Sequence, residues 1–181
     1  MSTKTRATIE DLYKVEGKAE LVDGEIVLMS PTGGWPGNAS LMIATSLVTY
    51  VRRTGHGRAV GDNVGFRVDL PHRESFSPDA AYYVGHDPRM KFYDGAPLFA
   101  AEVRSENDYG QAAEDNITQK RTDYFACGTL VVWDVDLLSE DVVKVYRAND
   151  PDNPTIYRRG DIAEAEPAVP GWWILVDELF G

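Results

Sequence analysis

The stretch 96-APLFAAEVRSENDYGQAAEDNITQKRTDYFACG-128 decides the fold. Its first part, residues 96–103, is short and apolar, and Asp94, Gly95 and Pro97 lead into it, the pattern of a strand covered on both faces. Glu102 interrupts that run. A carboxylate in such a strand is costly to desolvate unless a cation or an ion-pair partner meets it, so Glu102 is either a structural ion-pair member or a site residue. The residues that follow read as a helix, because Ala113, Ile117, Lys120 and Tyr124 are spaced by four, three and four and share one face. Phe125, Ala126 and Cys127 finish the stripe before Gly128, a left-handed stop. Lys120 thus lies in an inward face where an ammonium needs an anion, and the strand just left offers Glu102. Arg104, two places beyond Glu102, shares its direction in an extended chain. A guanidinium can hold a phosphate but does not lose its proton at ordinary pH.

Upstream, 76-FSPDAAYYV-84 reads as a strand with Asp79 at its start. Aspartate is a poor strand former, so its place asks for a reason. One reading makes it a turn residue that caps the Ser77-Pro78 corner. The other joins it to Glu102 and Lys120: two hard oxygen ligands for a divalent cation, and one ammonium for a phosphate or a water.

The SPD of residues 77–79, the AEVRS of residues 101–105 and the K-x-x-x-Y-x-x-x-G of Lys120, Tyr124 and Gly128 resemble the Uma-type family of restriction-like endonucleases, in the PD-(D/E)XK nuclease superfamily. The likeness extends to AELVDGEIVLMSP near the start, to LVVWDVD, and to the closing PGWWILVDELF. It implies an α/β (α+β) fold: a restriction-endonuclease-like mixed β-sheet core flanked by helices, with an N-terminal hairpin and C-terminal antiparallel strands. It implies Asp79, Glu102, Lys120 and Glu20 as catalytic residues, with Asp79, Glu102 and Glu20 as ligands of Mg2+ or Mn2+. The superfamily's usual lysine two places after the glutamate is Arg104 here, and Lys120 matches a lysine moved into the next helix. Family members often carry a histidine at the start of the first long helix, where this chain has Asn38 or a neighbour.

The remainder of the chain is read around this centre. Its 181 residues, 43% of them apolar and 26% charged, suit one globular domain over residues 1–181. No long apolar run or signal peptide is visible, so a cytoplasmic protein with no membrane partner is expected. The single cysteine, Cys127, reads as a small core residue. A net charge of −11 argues against loose attraction to nucleic acid, although carboxylates gathered at a metal site contribute to it and bound cations would offset part of it.

After a polar tail, Thr8 opens a short helix with Glu10 and Asp11 in its first turn. AELV, Asp23-Gly24 and EIVLM form a hairpin signature. Glu20, at its start, reads equally as a solvated strand end or as a site residue. Residues 30–37 read as a loop whose glycines lack the Gly-Lys-Ser/Thr of a phosphate cradle. Residues 38–53 read as an amphipathic helix with Leu41, Ala44, Thr45, Val48 and Val51 inward and Arg52 and Arg53 at its end. The alternation of Val64, Phe66 and Val68 marks a strand, LPHRES a turn, and residues 85–95 a polar loop. His56, His72 and His86 lack the spacing of a zinc site and are given no role. TLVVWDVD, DVVKVYRA and TIYRRGD read as an antiparallel meander, with residues 149–154 a loop and Asp134 and Asp136 turn-facing reserve ligands. Trp172 and Trp173 point to opposite faces of an extended tail.

Hydrolysis of a phosphodiester needs an activated water, an electrophilic phosphorus and a stabilised leaving oxygen. A cation held by Asp79 and Glu102, with the Glu102–Val103 backbone and Glu20, answers the first two needs, and Lys120 orients or deprotonates the water. Arg104, Gln119 and Arg121 are the candidate phosphate contacts, and Tyr124 reads as packing. The expectation is a metal-dependent endonuclease of DNA, acting as a homodimer so that two sites face two antiparallel strands. The alternatives are a nuclease-fold module that binds or dimerises without cutting, and a carboxylate-pair hydrolase that would work without a divalent metal.

Overall fold

Asp23 and Gly24 both adopt left-handed backbone, at φ 52° and 73°, as a tight two-residue hairpin turn requires. They join β1 (Ala19–Val22) to β2 (Glu25–Leu28) in the computed structural model, which describes residues 5–181. The first four residues of the polar tail lie outside the described residues. Before the hairpin, α1 (Ile9–Leu12) starts at Thr8, whose hydroxyl accepts from the Asp11 N–H while the Asp11 carboxylate accepts from the Thr8 N–H.

The long helix α2 (Gly34–Thr54) begins four residues earlier than the sequence pattern predicts. Pro36 is tolerated there because a first-turn N–H has no intrahelical acceptor. Its inward stripe is also displaced: Ala39, Ile43, Leu47 and Tyr50 are buried, and Leu41 is 61% exposed. Then follow β3 (Arg58–Val60), β4 (Phe66–Leu70), β5 (Arg73–Phe76), β6 (Ala80–Tyr83) and β7 (Tyr93–Asp94). The expected LPHRES turn is therefore only Pro71 and His72, with Arg73 already in a strand. The centre of the chain is β8 (Phe99–Val103), α3 (Gln111–Ala126) and β9 (Val131–Val135), with α3 crossing between parallel strands. Gly128, at φ 96°, follows the end of α3. Then come β10 (Val143–Arg147), β11 (Asp150–Tyr157), β12 (Ile162–Glu164), β13 (Trp173–Leu175) and a closing 3-10 helix (Val176–Phe180). Residues 150–154, read as loop, belong to β11, an edge strand where prolines cost no ladder bond on the open side.

The order β2-β1-β5-β4-β7 makes one sheet and β11-β10-β9-β8-β6-β3 a second. Both are mixed, parallel at β4/β7 and β8/β9 and antiparallel elsewhere. The second sheet has a core on each face. Phe99, Ala101, Val103 and Trp133 pack with α2 and the C-terminal segment, where Trp172 is buried and Trp173 is 57% exposed. Ala100, Val132 and Ala81 pack on the other face with Tyr124 of α3 and Phe66 and Phe76 of the first sheet. No helix among the described residues is long and apolar enough to cross a membrane.

Candidate active site

Alternation along β8 sends Phe99, Ala101 and Val103 to the α2 core and Ala100 to the α3 core. Glu102 shares the direction of Ala100, so the one carboxylate of this strand faces α3. The antiparallel register pairs Ala80 with Ala101 and Ala81 with Ala100. Continued by one place it sets Asp79 across from Glu102, and the Asp79 N–H donates to the Ala101 carbonyl at 3.1 Å. On the other side, the parallel register sets Asp134 beside Glu102. Asp79, Glu102 and Asp134 thus form a row across three neighbouring strands.

Each carboxylate meets a different cation. The Asp79 Oδ2 accepts the Val103 N–H at 2.7 Å, and its Oδ1 accepts from the Lys18 ammonium at 2.5 Å. The Glu102 Oε1 accepts the Tyr124 hydroxyl at 2.6 Å, and its Oε2 accepts from Lys120 at 2.9 Å. Asp134 takes both its bonds from Arg104, through Nε and Nη2 at 2.7 Å. The remaining Arg104 donors go to Glu114 and to the Asp108 carbonyl. All five N–H groups of Arg104 are spent inside the protein, which corrects its expected role as a phosphate contact. Asp134 is buried in the middle of this fork rather than turn-facing, so it is no reserve ligand either.

Glu20 is the fourth carboxylate, 3% exposed. Its Oε1 accepts the Ser77 N–H at 2.8 Å and lies 2.9 Å from Lys120, while its Oε2 accepts from Arg73 at 2.7 Å. Lys120 therefore bridges Glu20 and Glu102. Arg73 continues the network to Asp123, which it holds at 2.8 Å and which also accepts from His72 at 2.7 Å and Gln119 at 2.8 Å. With its amide on Asp123, Gln119 is a supporting residue in this arrangement. The Arg121 guanidinium lies 3.7 Å from the centre of the Tyr146 ring. It lines, with Glu102, Lys120 and Tyr124, a cavity of about 40 Å³, room for a single water. Asn38 donates to the Leu179 carbonyl at 3.5 Å.

The electrostatics follow from this wiring. Burial alone would lower the Lys120 pKa, but Glu102 and Glu20 overcome it and hold the group above its ordinary value, charged at neutral pH. Burial pushes the Glu102 carboxyl up against the pull of Lys120, with Asp79 and Glu20 adding to the rise. Glu20 goes the other way: burial would raise it, and Lys120 and Arg73 bring it below the usual carboxylate range. Lys18 is raised, because Asp79, Glu102 and Asp62 outweigh its burial.

No group of three or more His, Cys, Asp or Glu side chains among the described residues is arranged to hold a metal ion. Two carboxylates are a sufficient protein share for Mg2+, which keeps several waters. Asp79 and Glu102 fit that share: they oppose each other across one strand pair, and each already carries a cationic group on one oxygen. Glu20 does not, since it is almost fully buried and is shared between two cations, Lys120 and Arg73, with the Ser77 N–H as a third donor. Lys18, Arg73 and Asp123 escape sequence reasoning. Lys18 stands in a polar GKAE run with no periodicity to mark it, Arg73 meets Glu20 across the β1–β5 pairing, and Asp123 meets Arg73 and His72 only when α3 is packed in place.

The family model for Uma2, described as "Putative restriction endonuclease", matches residues 7–177. Among solved structures, the crystal structure of a "putative nuclease belonging to DUF820" from Anabaena variabilis aligns with a TM-score of 0.73. The alignment covers 96% of this chain and 97% of that one at 17% identity, so the two share a fold. No curated protein matches the chain.

Proposed function

This chain belongs to the Uma2 restriction endonuclease family, and from that premise we propose that it is a Mg2+- or Mn2+-dependent endonuclease hydrolysing phosphodiester bonds of DNA. The observation that carries the reading is the opposition of Asp79 and Glu102 across adjacent strands, with Lys120 2.9 Å from Glu102. Asp79 and Glu102 are the residues that would hold the cation. When bound, a divalent ion supplies Lewis-acid polarisation of a phosphoryl oxygen and a water of lowered pKa.

The residues of the chain do the rest. Lys120, kept protonated by Glu20 and Glu102, orients the attacking water and neutralises a phosphate oxygen; its raised pKa argues against its acting as the base. Glu20 fixes the position of Lys120, and Tyr124, read from sequence as packing, fixes Glu102 through its hydroxyl. Arg121 is the better of the remaining phosphate candidates, since Arg104 has no donor left and the Gln119 amide is directed to Asp123. In this reading residues 1–181 act as one cytoplasmic domain, and a symmetric pair of chains presents two sites to the two strands of a duplex.

The test is conversion of supercoiled plasmid to nicked or linear form in Mn2+ and then Mg2+. Wild type is compared with Asp79→Ala and Lys120→Ala, each with and without chelator. Cleavage lost in both variants and with chelator is expected. An inert wild type across plasmid and single-stranded substrates would instead favour a module that binds without cutting. Activity that survives chelation would favour a carboxylate-pair hydrolase.

A further inference from the structure

Lys18 stands where a cation is wanted. It arrives from the segment before β1, 61 positions from Asp79 in sequence, and sets its ammonium 2.5 Å from Asp79 Oδ1. The same ammonium lies 2.7 Å from Asp62, in the loop between β3 and β4. Its side chain is only 17% exposed, so it is sequestered with these two carboxylates, whereas Asp62 is 42% exposed and opens the pair to solvent. The second Asp79 oxygen is already committed to the Val103 N–H. Any ion that approaches Asp79 therefore meets Lys18 on the one oxygen without a backbone partner.

We propose that Lys18 is an exchangeable counter-ion of the active site, which holds the cation position on Asp79 until a divalent ion takes it and which then rests on Asp62. The inference depends on the metal-dependent reading of Asp79 and Glu102. Lys18 keeps the row of carboxylates from repelling one another in the metal-free protein, and Asp62 gives its ammonium a second seat without travel across the site. The exchange makes metal affinity a difference between two occupancies of one oxygen. Lys120 differs in its second carboxylate: Glu20 is buried and already shared with Arg73, whereas Asp62 is open to solvent and free to receive the whole charge of Lys18.

Calorimetric titration of the full chain with MnCl2, at fixed pH and ionic strength, tests this. Lys18→Met keeps the apolar stem of the side chain and removes the competitor, so it is expected to bind Mn2+ about tenfold more tightly than wild type. Asp62→Asn removes the second seat and is expected to weaken Mn2+ binding several-fold in the wild-type background. In the Lys18→Met background the same change should have little effect; direct attraction between Asp62 and the ion would weaken binding in both. Thermal unfolding confirms that each variant is folded, and Lys18→Gln replaces Lys18→Met if it is not. Unchanged or weaker binding in a folded Lys18 variant, beside a wild type that binds, overturns the exchange and leaves the metal-dependent reading in place. Mn2+ binding in the variant but not in wild type supports the exchange in its strongest form. No binding in either overturns the metal-dependent reading itself, and the exchange with it.

Discussion

Lys120 stands 2.9 Å from Glu20, a carboxylate 3% exposed whose other oxygen is held by Arg73 at 2.7 Å. This buried brace places the ammonium against Glu102, so in the proposed reaction Glu20 would act through Lys120. Glu20→Gln keeps the shape and removes the charge. The cleavage rate at saturating Mn2+ is expected to fall by about 10²-fold, the order of effect that a small misplacement of a catalytic group produces. Mn2+ affinity should change little. A loss of Mn2+ affinity as large as that of Asp79→Asn would instead make Glu20 a ligand.

Arg73 is shared by Glu20 and Asp123, both buried, and stacks its guanidinium 5.0 Å from the Phe76 ring. Arg73→Met removes the guanidinium from buried Asp123 and leaves buried Glu20 with Lys120 as its one remaining cation among the described residues. The expected loss of stability is about 3–5 kcal/mol, read as a lowered urea midpoint. Adding Asp123→Asn should recover part of it, because the buried charge that lost its guanidinium is then gone.

Arg104 and Arg121 make opposite predictions. Arg104→Met is expected to cost several kcal/mol, roughly the range for breaking a buried pair, while the salt dependence of DNA binding by the remaining folded protein is unchanged. Arg121→Ala should cost only about 0.5–1 kcal/mol, through the lost contact with Tyr146. If Arg121 meets a backbone phosphate, the slope of log K against log salt falls by about 1 in that variant. Fluorescence titrations at four salt concentrations separate the two arginines.

The pH dependence of stability isolates Asp123. Burial would raise its pKa, but bonds from Arg73, His72 and Gln119 bring it below the usual value of 3.8. A carboxyl depressed in the folded state contributes stability that is fully present above its unfolded pKa and is lost as pH falls through the folded one. Urea midpoints measured from pH 5 down to pH 2 should therefore drop more steeply for wild type than for Asp123→Asn. Parallel curves would show that Asp123 is not depressed by its partners.

The part of the candidate site's geometry that is written in local sequence was legible. Glu102 announced itself by interrupting an apolar run, Lys120 by its helical spacing from Ile117 and Tyr124, and Asp79 by following Ser77-Pro78 into a strand. The hairpin was legible for the same reason, since Asp23-Gly24 carries its own backbone demand. Arg104 was misjudged because its direction could be inferred and its partners could not: Glu114 and Asp134 reach it only when α3 and β9 are in place. The inward stripe of α2 was misread because apolar residues occur on more than one side of that helix, and Leu41 is left exposed while Ile43 is buried. β11 was partly read as loop because an edge strand tolerates Pro151 and Pro154.

Lys18 and Glu20, Asp79, Glu102 and Lys120 come from four separated segments of the chain and meet only through strand pairing and one helical crossover. During synthesis on the ribosome Lys18 and then the acidic members emerge first, and the bracing lysine of α3 last. No partial chain can hold the complete constellation, and pairings between residues this distant in sequence form late. A half-made molecule therefore lacks the candidate site, and any capacity to cut would arise only with the finished fold.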